Sequence, residues 1–481
     1  MAAGVVRRRL ALAGAGAPPP SPPPIYRQTA AAIPIPEPQV KEDGAFLPWL
    51  RSKAGSAVSS ALRIGTSPLG RSLFASQPIQ EGDCILQLPH TAQLTQDKLP
   101  QEVRLLLDDV DDAVARDAAA KVAVLLMMEQ RLGHESGWAP YVTSLPAKGQ
   151  MHNMMFWDLD ELDMVRHSPV YDEAIQQKER TRKQFSAAKP ALERFPHFFG
   201  EIKLEDFMHA SALVSSRAWQ TSRGVSLVPF ADFLNHDGAS GSILVYDEEK
   251  DVSEVIANRN YAVGEQVMIR YGKYSNATLA LNFGFTLSRN IYDQAHVWID
   301  MSEQDPLYEK KLDIWQKHHR TPKSQHMCSS GCTRTSFAIK EVKYYGNKGV
   351  GIPQALRAFV RVFCATSIEV TSFSDTTMMA SLELEEMAME AAENDGRLAR
   401  RPLKHAEREV HAHRKLLMHL ESMIQGHSTA IEQLETIDGA ASRSMHPLRK
   451  EMAKNLLAGE VQVLQSAYAW VANYCKTVAC T

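Results

Sequence analysis

Cysteine is scarce in this chain. Six of its 481 residues are cysteines (Cys84, Cys328, Cys332, Cys364, Cys475 and Cys480), and no two form a C-x-x-C pair. A disulfide scaffold is excluded, and free thiols in a reducing compartment are the expectation. Excess basic charge is also missing. The 53 Lys and Arg stand against 56 Asp and Glu, a formal net charge of −3, which argues against a dedicated nucleic-acid binder. The longest apolar run, around residues 122–128, is far short of the ~18–20 residues that cross a bilayer, so no membrane span is expected. Common catalytic signatures are absent too. There is no G-x-x-x-x-G-K-[ST] loop, no G-x-S-x-G elbow and no H-E-x-x-H pair, and Gly349-Val350-Gly351 lacks the third glycine of a dinucleotide fingerprint. Cys328 and Cys332 have no second Cys/His pair nearby, and His411 and His413 stand two apart on a helical stretch, where they do not face each other. No metal is expected.

Acidic residues are missing from the start of the chain. Residues 1–36 hold Arg7, Arg8, Arg9 and Arg27 but no Asp or Glu, and they include the run Pro18–Pro24, interrupted only by Ser21. Such a stretch forms neither helix nor sheet interior. It reads as a disordered, arginine-bearing transit peptide. A chloroplast is the first expectation, with a mitochondrion or the cytoplasm as the alternatives.

Between about 60 and 300, short alternating runs are punctuated by turn signals. Cys84–Leu88 follows Gly82-Asp83 and is stopped by Pro89; Ser242–Tyr246 is a second run; Gln266–Tyr271 follows the Gly264-Glu265 turn. All three read as strands, and in the last Val267, Ile269 and Tyr271 share one face. A helical insert at roughly 96–215 interrupts them. Val103, Leu106, Val110 and Val114 keep a helical period there, and 117–132 is a second apolar helix. From about 300 onward the texture is helical. Val410, Leu417, Leu420, Ile424, Ile431 and Leu434 make one stripe, with a break expected near Gly426; Met452, Leu456, Val463, Ala467 and Val471 make another. The histidines at 405, 411, 413, 419 and 427 read as part of a solvated, partly packed helix. The polar stretch 320–336 reads as a loop.

One constellation carries chemistry. Leu227–His236 is apolar except at Asp232, Asn235 and His236. Alone, Asn-His-Asp-Gly is ordinary turn chemistry. About 35 residues later come Gly264-Glu265, the strand ending in Arg270-Tyr271-Gly272, Ser275-Asn276, and Asn282-Phe283-Gly284-Phe285. This ordered pair resembles the C-terminal half of a SET-domain methyltransferase. Gly70-Arg71-Ser72-Leu73-Phe74-Ala75, Ile79, Gly82 and Leu88-Pro89 resemble the strands that open that fold. Trp138-Ala139-Pro140-Tyr141, Leu145-Pro146 and Ser216-Arg217-Ala218-Trp219 are similar to the Rubisco large-subunit lysine methyltransferase subgroup.

The resemblance implies an α+β fold: a SET domain of short sheets over 45–295, with its helical insert, then an all-α substrate-binding domain over 300–481. It implies methyl transfer from S-adenosylmethionine to a protein lysine, with cofactor and peptide entering from opposite faces. Leu69, Gly70, Arg71, Asn235 and His236 match cofactor-binding positions. Tyr271 matches the catalytic tyrosine, which also borders the cofactor. Arg217, Asp232, Tyr246 and Phe283 match the substrate side. The implied substrates are plastid proteins such as Rubisco large subunit or fructose-bisphosphate aldolase, docked on the helical half of a monomer. Ser72 stands where the family usually has glycine, Thr221 where relatives carry arginine, and Phe283 where they carry tyrosine. Two other readings stay open: a histidine acceptor, and a scaffold that has kept the fold without catalysis.

Overall fold

The computed structural model describes residues 44–55, 58–59, 61–110, 117–299, 305–318, 335–345, 348–364, 384–385, 388, 402–403, 406–436 and 446–480. The expected transit peptide, Val114 and the cysteines of 320–336 lie outside them.

Ten short strands build the first half. They are β1 (Leu62–Ser67), β2 (Gly70–Ala75), β3 (Cys84–Pro89), β4 (Leu94–Thr95), β5 (Ala218–Thr221), β6 (Gly224–Leu227), β7 (Asn235–His236), β8 (Leu244–Asp247), β9 (Val252–Ile256) and β10 (Gln266–Ile269). They form three small sheets in the orders β1-β2-β10-β7, β3-β9-β8 and β4-β6-β5. Gly70, at φ +89°, makes the tight β1–β2 turn that a side chain would strain. On β10, Val267 and Ile269 are fully buried on the core face, as period-2 alternation requires. The pairing that matters most is parallel, with β7 beside β10 through Met268↔Asn235 and Ile269↔His236. It brings two segments about 35 residues apart in sequence to one edge.

Helix α1 (Phe46–Ala54) precedes the strands, and the insert contributes α2 (Gln101–Asp108), α3 (Ala118–Leu132), α4 (Val170–Leu192) and α5 (Leu204–Arg217). Asp117 caps α3 by accepting from the amides of Ala119 and Ala120. Ala120–Glu129 is buried without interruption, so α3 forms the centre of the core and not an amphipathic surface. Helix α5 ends at Arg217 and runs directly into β5, which aims that arginine at the site described below.

The second half is helical, as expected, and also contains two strand pairs. Strands β11 (Gln294–Ile299) and β12 (Thr335–Lys340) pair, as do β13 (Lys343–Tyr345) and β14 (Lys348–Val350). Helices α6 (Tyr308–His318) and α7 (Gln354–Cys364) precede a long antiparallel hairpin of α8 (Ala406–Thr436) and α9 (Pro447–Ala479). Helix α8 is continuous through Gly426. That glycine allows a close approach, because a Cβ there would lie 3.1 Å from His167 Nδ1. All five residues of the expected α9 stripe are buried. On α8 the buried stripe is Val410, His413, Leu416, Leu420, His427, Ala430 and Leu434. Two of the histidines read as solvated therefore face the core. A third core joins the halves: Met154, Trp157, Leu162 and Val165 pack with Ala280 against Leu434, Met452 and Leu456.

Candidate active site

Tyr271 lies two residues beyond β10, beside β7. Its amide donates to His236 Nδ1 at 3.1 Å, and its hydroxyl donates to the Leu234 carbonyl at 2.7 Å. The two rings pack at 5.1 Å. Because Nδ1 accepts, the proton of neutral His236 is on Nε2, and burial lowers the imidazole's pKa, which favours that neutral form. Nε2 itself is buried with no partner among the described residues. Burial, opposed by Arg217 and reinforced by Asp232, pushes the Tyr271 phenol up to about 12. It is protonated at neutral pH and acts as an oriented hydroxyl, not a base.

The Asn235 amide fastens the neighbouring turn, donating to the Arg71 carbonyl at 3.1 Å and to Ser72 Oγ at 2.8 Å. Ser72 is fully buried. Its hydroxyl also meets Ser67 Oγ at 2.8 Å and Gln266 Nε2 at 3.2 Å. The serine at this position thus ties the Leu69–Arg71 turn to β7 and β10. Gly70 has no atom within 4 Å of where a Cβ would be, and Leu69 is 60% exposed, so this turn presents open backbone beside Asn235. The Arg71 guanidinium lies over Phe233 at 4.8 Å and donates to the Ser144 carbonyl of the insert.

On the other side of Tyr271 is a cavity of about 210 Å3. Arg217, Trp219, Asp232, Tyr271, Tyr274 and Phe283 line it, together with Ser216, Ala218 and Gln220. Asp232 is held by Arg217 Nη1 at 3.3 Å and the Tyr141 hydroxyl at 3.0 Å, both on Oδ2. Oδ1 is buried without a partner among the described residues. Burial outweighs the arginine and raises the carboxyl pKa. Phe230 precedes this turn at φ +74°. That is a strained setting for a bulky residue, held by packing against Phe46 and Phe233.

The structure therefore brings together Gly70, Arg71, Asn235, His236 and Tyr271 on one side, and Arg217, Asp232 and Phe283 around the cavity. It does not bring Tyr246 there. That residue sits on β8 with its hydroxyl on Asp251 and its ring 6.3 Å from His90. Thr221 closes its own hairpin by donating to the Gly224 carbonyl, and Arg223 pairs with Asp251 at 3.1 Å. Ile269 is fully buried in the core, not on the cavity wall. Trp219 and Tyr274 also line the cavity. Trp219 stands in the Ser216–Trp219 motif but was not expected as a site residue, and Tyr274 is marked in the sequence only by lying two residues past Gly272. Among the described residues, no group of three His, Cys, Asp or Glu is placed to hold a metal, and no helix is long and apolar enough to cross a membrane.

Comparison with known proteins agrees with this geometry. A SET-domain family model matches residues 70–272, and a model of the Rubisco LSMT substrate-binding domain matches 302–464. Similar curated proteins include the actin-histidine N-methyltransferases of Homo sapiens and Dasypus novemcinctus, each 25% identical over 332 residues, 66% of this chain. The chain spans about half the length of these relatives, 52%. Among solved structures, the SET domain of LSMT bound to lysine and AdoHcy aligns with TM-score 0.66 at 20% identity, covering 92% of this chain and 93% of that one. Rubisco LSMT bound to AdoMet aligns with TM-score 0.64 at 21% identity, covering 90% and 92%. These structures share the fold. The chain thus carries a SET domain over residues 70–272, followed by a domain of the Rubisco LSMT substrate-binding type over 302–464.

Proposed function

We propose that this protein is an S-adenosylmethionine-dependent protein N-methyltransferase whose acceptor is a lysine side chain. The supporting observation is the position of Tyr271, between an open glycine turn locked to Asn235–His236 and a cavity walled by aromatic rings. The residues suit the two ligands. The exposed Leu69–Arg71 turn and the unpartnered Nε2 of His236 leave polar groups for a nucleoside and amino-acid moiety. The relatives whose names include AdoMet or AdoHcy share the fold at this place.

The bound donor supplies a methyl carbon already activated by sulfonium. The chain's own residues orient and desolvate. A free lysine is an ammonium up to about pH 10.4. Entering a cavity walled by Trp219, Phe283 and Tyr274, it loses hydration, and burial favours the neutral amine. Its proton leaves to water. The amine lone pair then forms the new C–N bond as the C–S bond breaks, and S-adenosylhomocysteine departs as a neutral thioether. Tyr271, fixed through its donated hydrogen bond to Leu234, keeps oxygen lone pairs free for the polarised methyl. Orientation of this kind is the main catalytic contribution.

A histidine acceptor is the second reading. Similarity to actin-histidine N-methyltransferases favours it, and Asp232 Oδ1 offers an acceptor for an imidazole N–H. The acid-free, arginine-bearing N-terminus supports a plastid location and a plastid target protein. The docking surface for that target would be the C-terminal domain, whose family model is named for substrate binding.

Labelled methyl transfer into a plastid extract, followed by amino-acid analysis of the labelled band, tests the reading. Methyllysine is expected with the native protein, and a large loss of label with Tyr271→Phe. Methylhistidine would establish the second reading. No label, with no S-adenosylmethionine binding at millimolar concentration, would support the scaffold.

A further inference from the structure

Asn276 is a buried hub at the junction of the two halves. Its side-chain carbonyl accepts from the Leu287 amide at 2.8 Å, and its Nδ2 donates back to the Leu287 carbonyl at 2.9 Å. The side chain thus pairs with Leu287 much as a neighbouring backbone would, and closes the loop 276–287. Nδ2 also donates to Asp293 Oδ2 at 3.1 Å, and the Asn276 amide donates to Asp293 Oδ1 at 2.7 Å. Aspartate, with no side-chain N–H, could not make these bonds. Within the loop, the Gly284 amide donates to the Leu279 carbonyl at 2.9 Å and ends the π-helical turn Leu279–Phe283. The loop carries two rings to the site: Phe283 stacks on Tyr271 at 5.4 Å and 25°, and Phe285 lies 6.0 Å from the His236 ring.

Helix α9 touches the same joint. The Asn455 carbonyl lies 3.5 Å from Asn276 Nδ2, Asn455 Nδ2 donates to Thr286 Oγ1 at 3.3 Å, and a Cβ on Gly459 would meet Asp293 Oδ2 at 2.1 Å. Asp293 is buried, and burial, opposed by the Asn276 amide and reinforced by Glu460, lifts its carboxyl to about 7. Glu460 is itself held by the Ser168 hydroxyl and by His427 Nε2, each at 2.7 Å. A buried acid with no ion pair among the described residues is costly to the fold, which points to a task beyond stability.

We propose that Asn276 and Asp293 are positioning residues through which α9 seats the loop 276–287, so that the C-terminal domain sets the placement of Tyr271 and His236 as well as docking a target. This rests on the N-methyltransferase reading above. The route is short. Helix α9 meets Asp293 and Thr286, Asp293 fixes Asn276, and Asn276 fixes both ends of the loop. The Tyr271 hydroxyl is tied to the Leu234 carbonyl, but the face of its ring rests on Phe283. A displaced loop therefore displaces the group that orients the methyl, and a misplacement of about 1 Å costs on the order of 100-fold in rate. The Ser168–Glu460 bond crosses the same seam but does not involve the loop.

The test uses the full chain and two readouts: the initial rate of labelled methyl transfer into a plastid extract at saturating S-adenosylmethionine, and titration of the His236 imidazole by NMR. Asp293→Asn sets a second amide against Asn276 Nδ2, and Gly459→Ala pushes on Asp293 from the α9 side. Each is expected to slow transfer about tenfold and to return the depressed His236 pKa toward 6.5. Thr286→Val keeps the shape and removes the Asn455 contact; it is expected to slow transfer about threefold, and Thr286→Ser to match the native chain. Ser168→Ala is expected to lower the melting temperature and leave both readouts unchanged. Should Asp293→Asn and Gly459→Ala fail to fold, Thr286→Val decides alone. Native rates and a native His236 titration in the folded variants would overturn the proposal, and so would an equal loss of rate in Ser168→Ala; native methyl transfer would stand in both cases. A native chain that binds no S-adenosylmethionine at millimolar concentration would remove the methyltransferase reading and the proposal with it.

Discussion

Two arginine–carboxylate pairs, one in each half of the molecule, are built to different standards. Arg361 and Glu409 are fully buried in the helical half. Arg361 donates to both carboxylate oxygens at 2.7–3.0 Å, while the Tyr474 hydroxyl and the Leu403 amide add further bonds to Glu409. Burial opposes the charge, but Arg361 overrides it and pulls the Glu409 carboxyl down to about 2. At the cavity, Arg217 reaches the Asp232 carboxylate through a single 3.3 Å contact and its backbone carbonyl at 2.9 Å, the other carboxylate oxygen has no partner among the described residues, and the pKa moves up. A saturated pair is a structural joint. A pair with a spare acceptor, facing a cavity, is open to a ligand.

Breaking the joint has the largest expected effect. Glu409→Ala leaves Arg361 buried without its counter-charge and is expected to cost about 3–5 kcal/mol, seen as a large drop in denaturation midpoint. Asp232→Asn is the matched change at the cavity. It is expected to alter stability by less than about 1 kcal/mol, because the partner Arg217 is partly exposed and water takes over part of its charge. Comparable losses in the two variants would show that Asp232 is as structural as Glu409.

Next comes Tyr271→Phe. It is expected to slow methyl transfer about 100-fold, about 2.7 kcal/mol in barrier, with S-adenosylmethionine affinity changed less than about threefold. Only one neutral hydrogen bond to Leu234 is lost, so stability falls by about 1 kcal/mol. A variant that loses cofactor binding in step with rate would make the phenol a binding group and not an orienting one.

The same contrast explains what could be read from the sequence. Asn235 and His236 are adjacent and Tyr271 follows 35 residues later in a recognisable order, while the Leu69–Arg71 turn, 164 residues before Asn235, carries its own glycine signature. The four-ring wall assembles from residues 219, 271, 274 and 283 on different elements, so no local period marks it. Tyr246 alternates correctly along β8, yet β8 belongs to a sheet that turns its hydroxyl to Asp251. The Arg361–Glu409 joint was invisible because its members lie 48 residues apart and polar positions interrupt an apolar stripe. His413 and His427 read as part of a solvated, partly packed helix for the same reason, yet both are buried. Gly426 looked like a helix break, but it is a packing contact with His167 across the seam.

That seam yields a third, smaller effect. Glycine-to-alanine in a helix interior ordinarily stabilises by up to about 1 kcal/mol. Gly459 on α9 is different, since a Cβ would lie 2.1 Å from Asp293 Oδ2. Asp293 is itself fixed by the Asn276 amide at 2.7 Å. Gly459→Ala is therefore expected to destabilise by about 1–3 kcal/mol, measured by thermal unfolding. A stabilised variant would mean that the two halves slide apart easily at this contact.

Acid should act on His413 and Asp232 with opposite signs. His413 is fully buried, with Nδ1 on the Glu409 carbonyl at 2.9 Å and Nε2 unpartnered among the described residues. Arg361 and Arg357 crowd it with positive charge, Glu409 opposes them, and the Tyr474 ring lies tilted against it at 4.8 Å. Burial depresses this imidazole to about 4. The unfolded chain takes up its proton near pH 6.5, before the folded chain does, so the contribution is intact above that pH and is lost as pH falls toward 4. Asp232 has the opposite sign, because its raised pKa favours the fold in acid and opposes it as pH rises. Between pH 7.5 and 5.5 the histidine alone is expected to cost about 1.4 kcal/mol. His413→Gln, which keeps a donor for the Glu409 carbonyl, should flatten the melting temperature over that interval relative to the native chain. If the two curves run parallel, acid sensitivity in this range lies outside the helical joint, and the division of the molecule into a saturated half and an open half loses its electrostatic support.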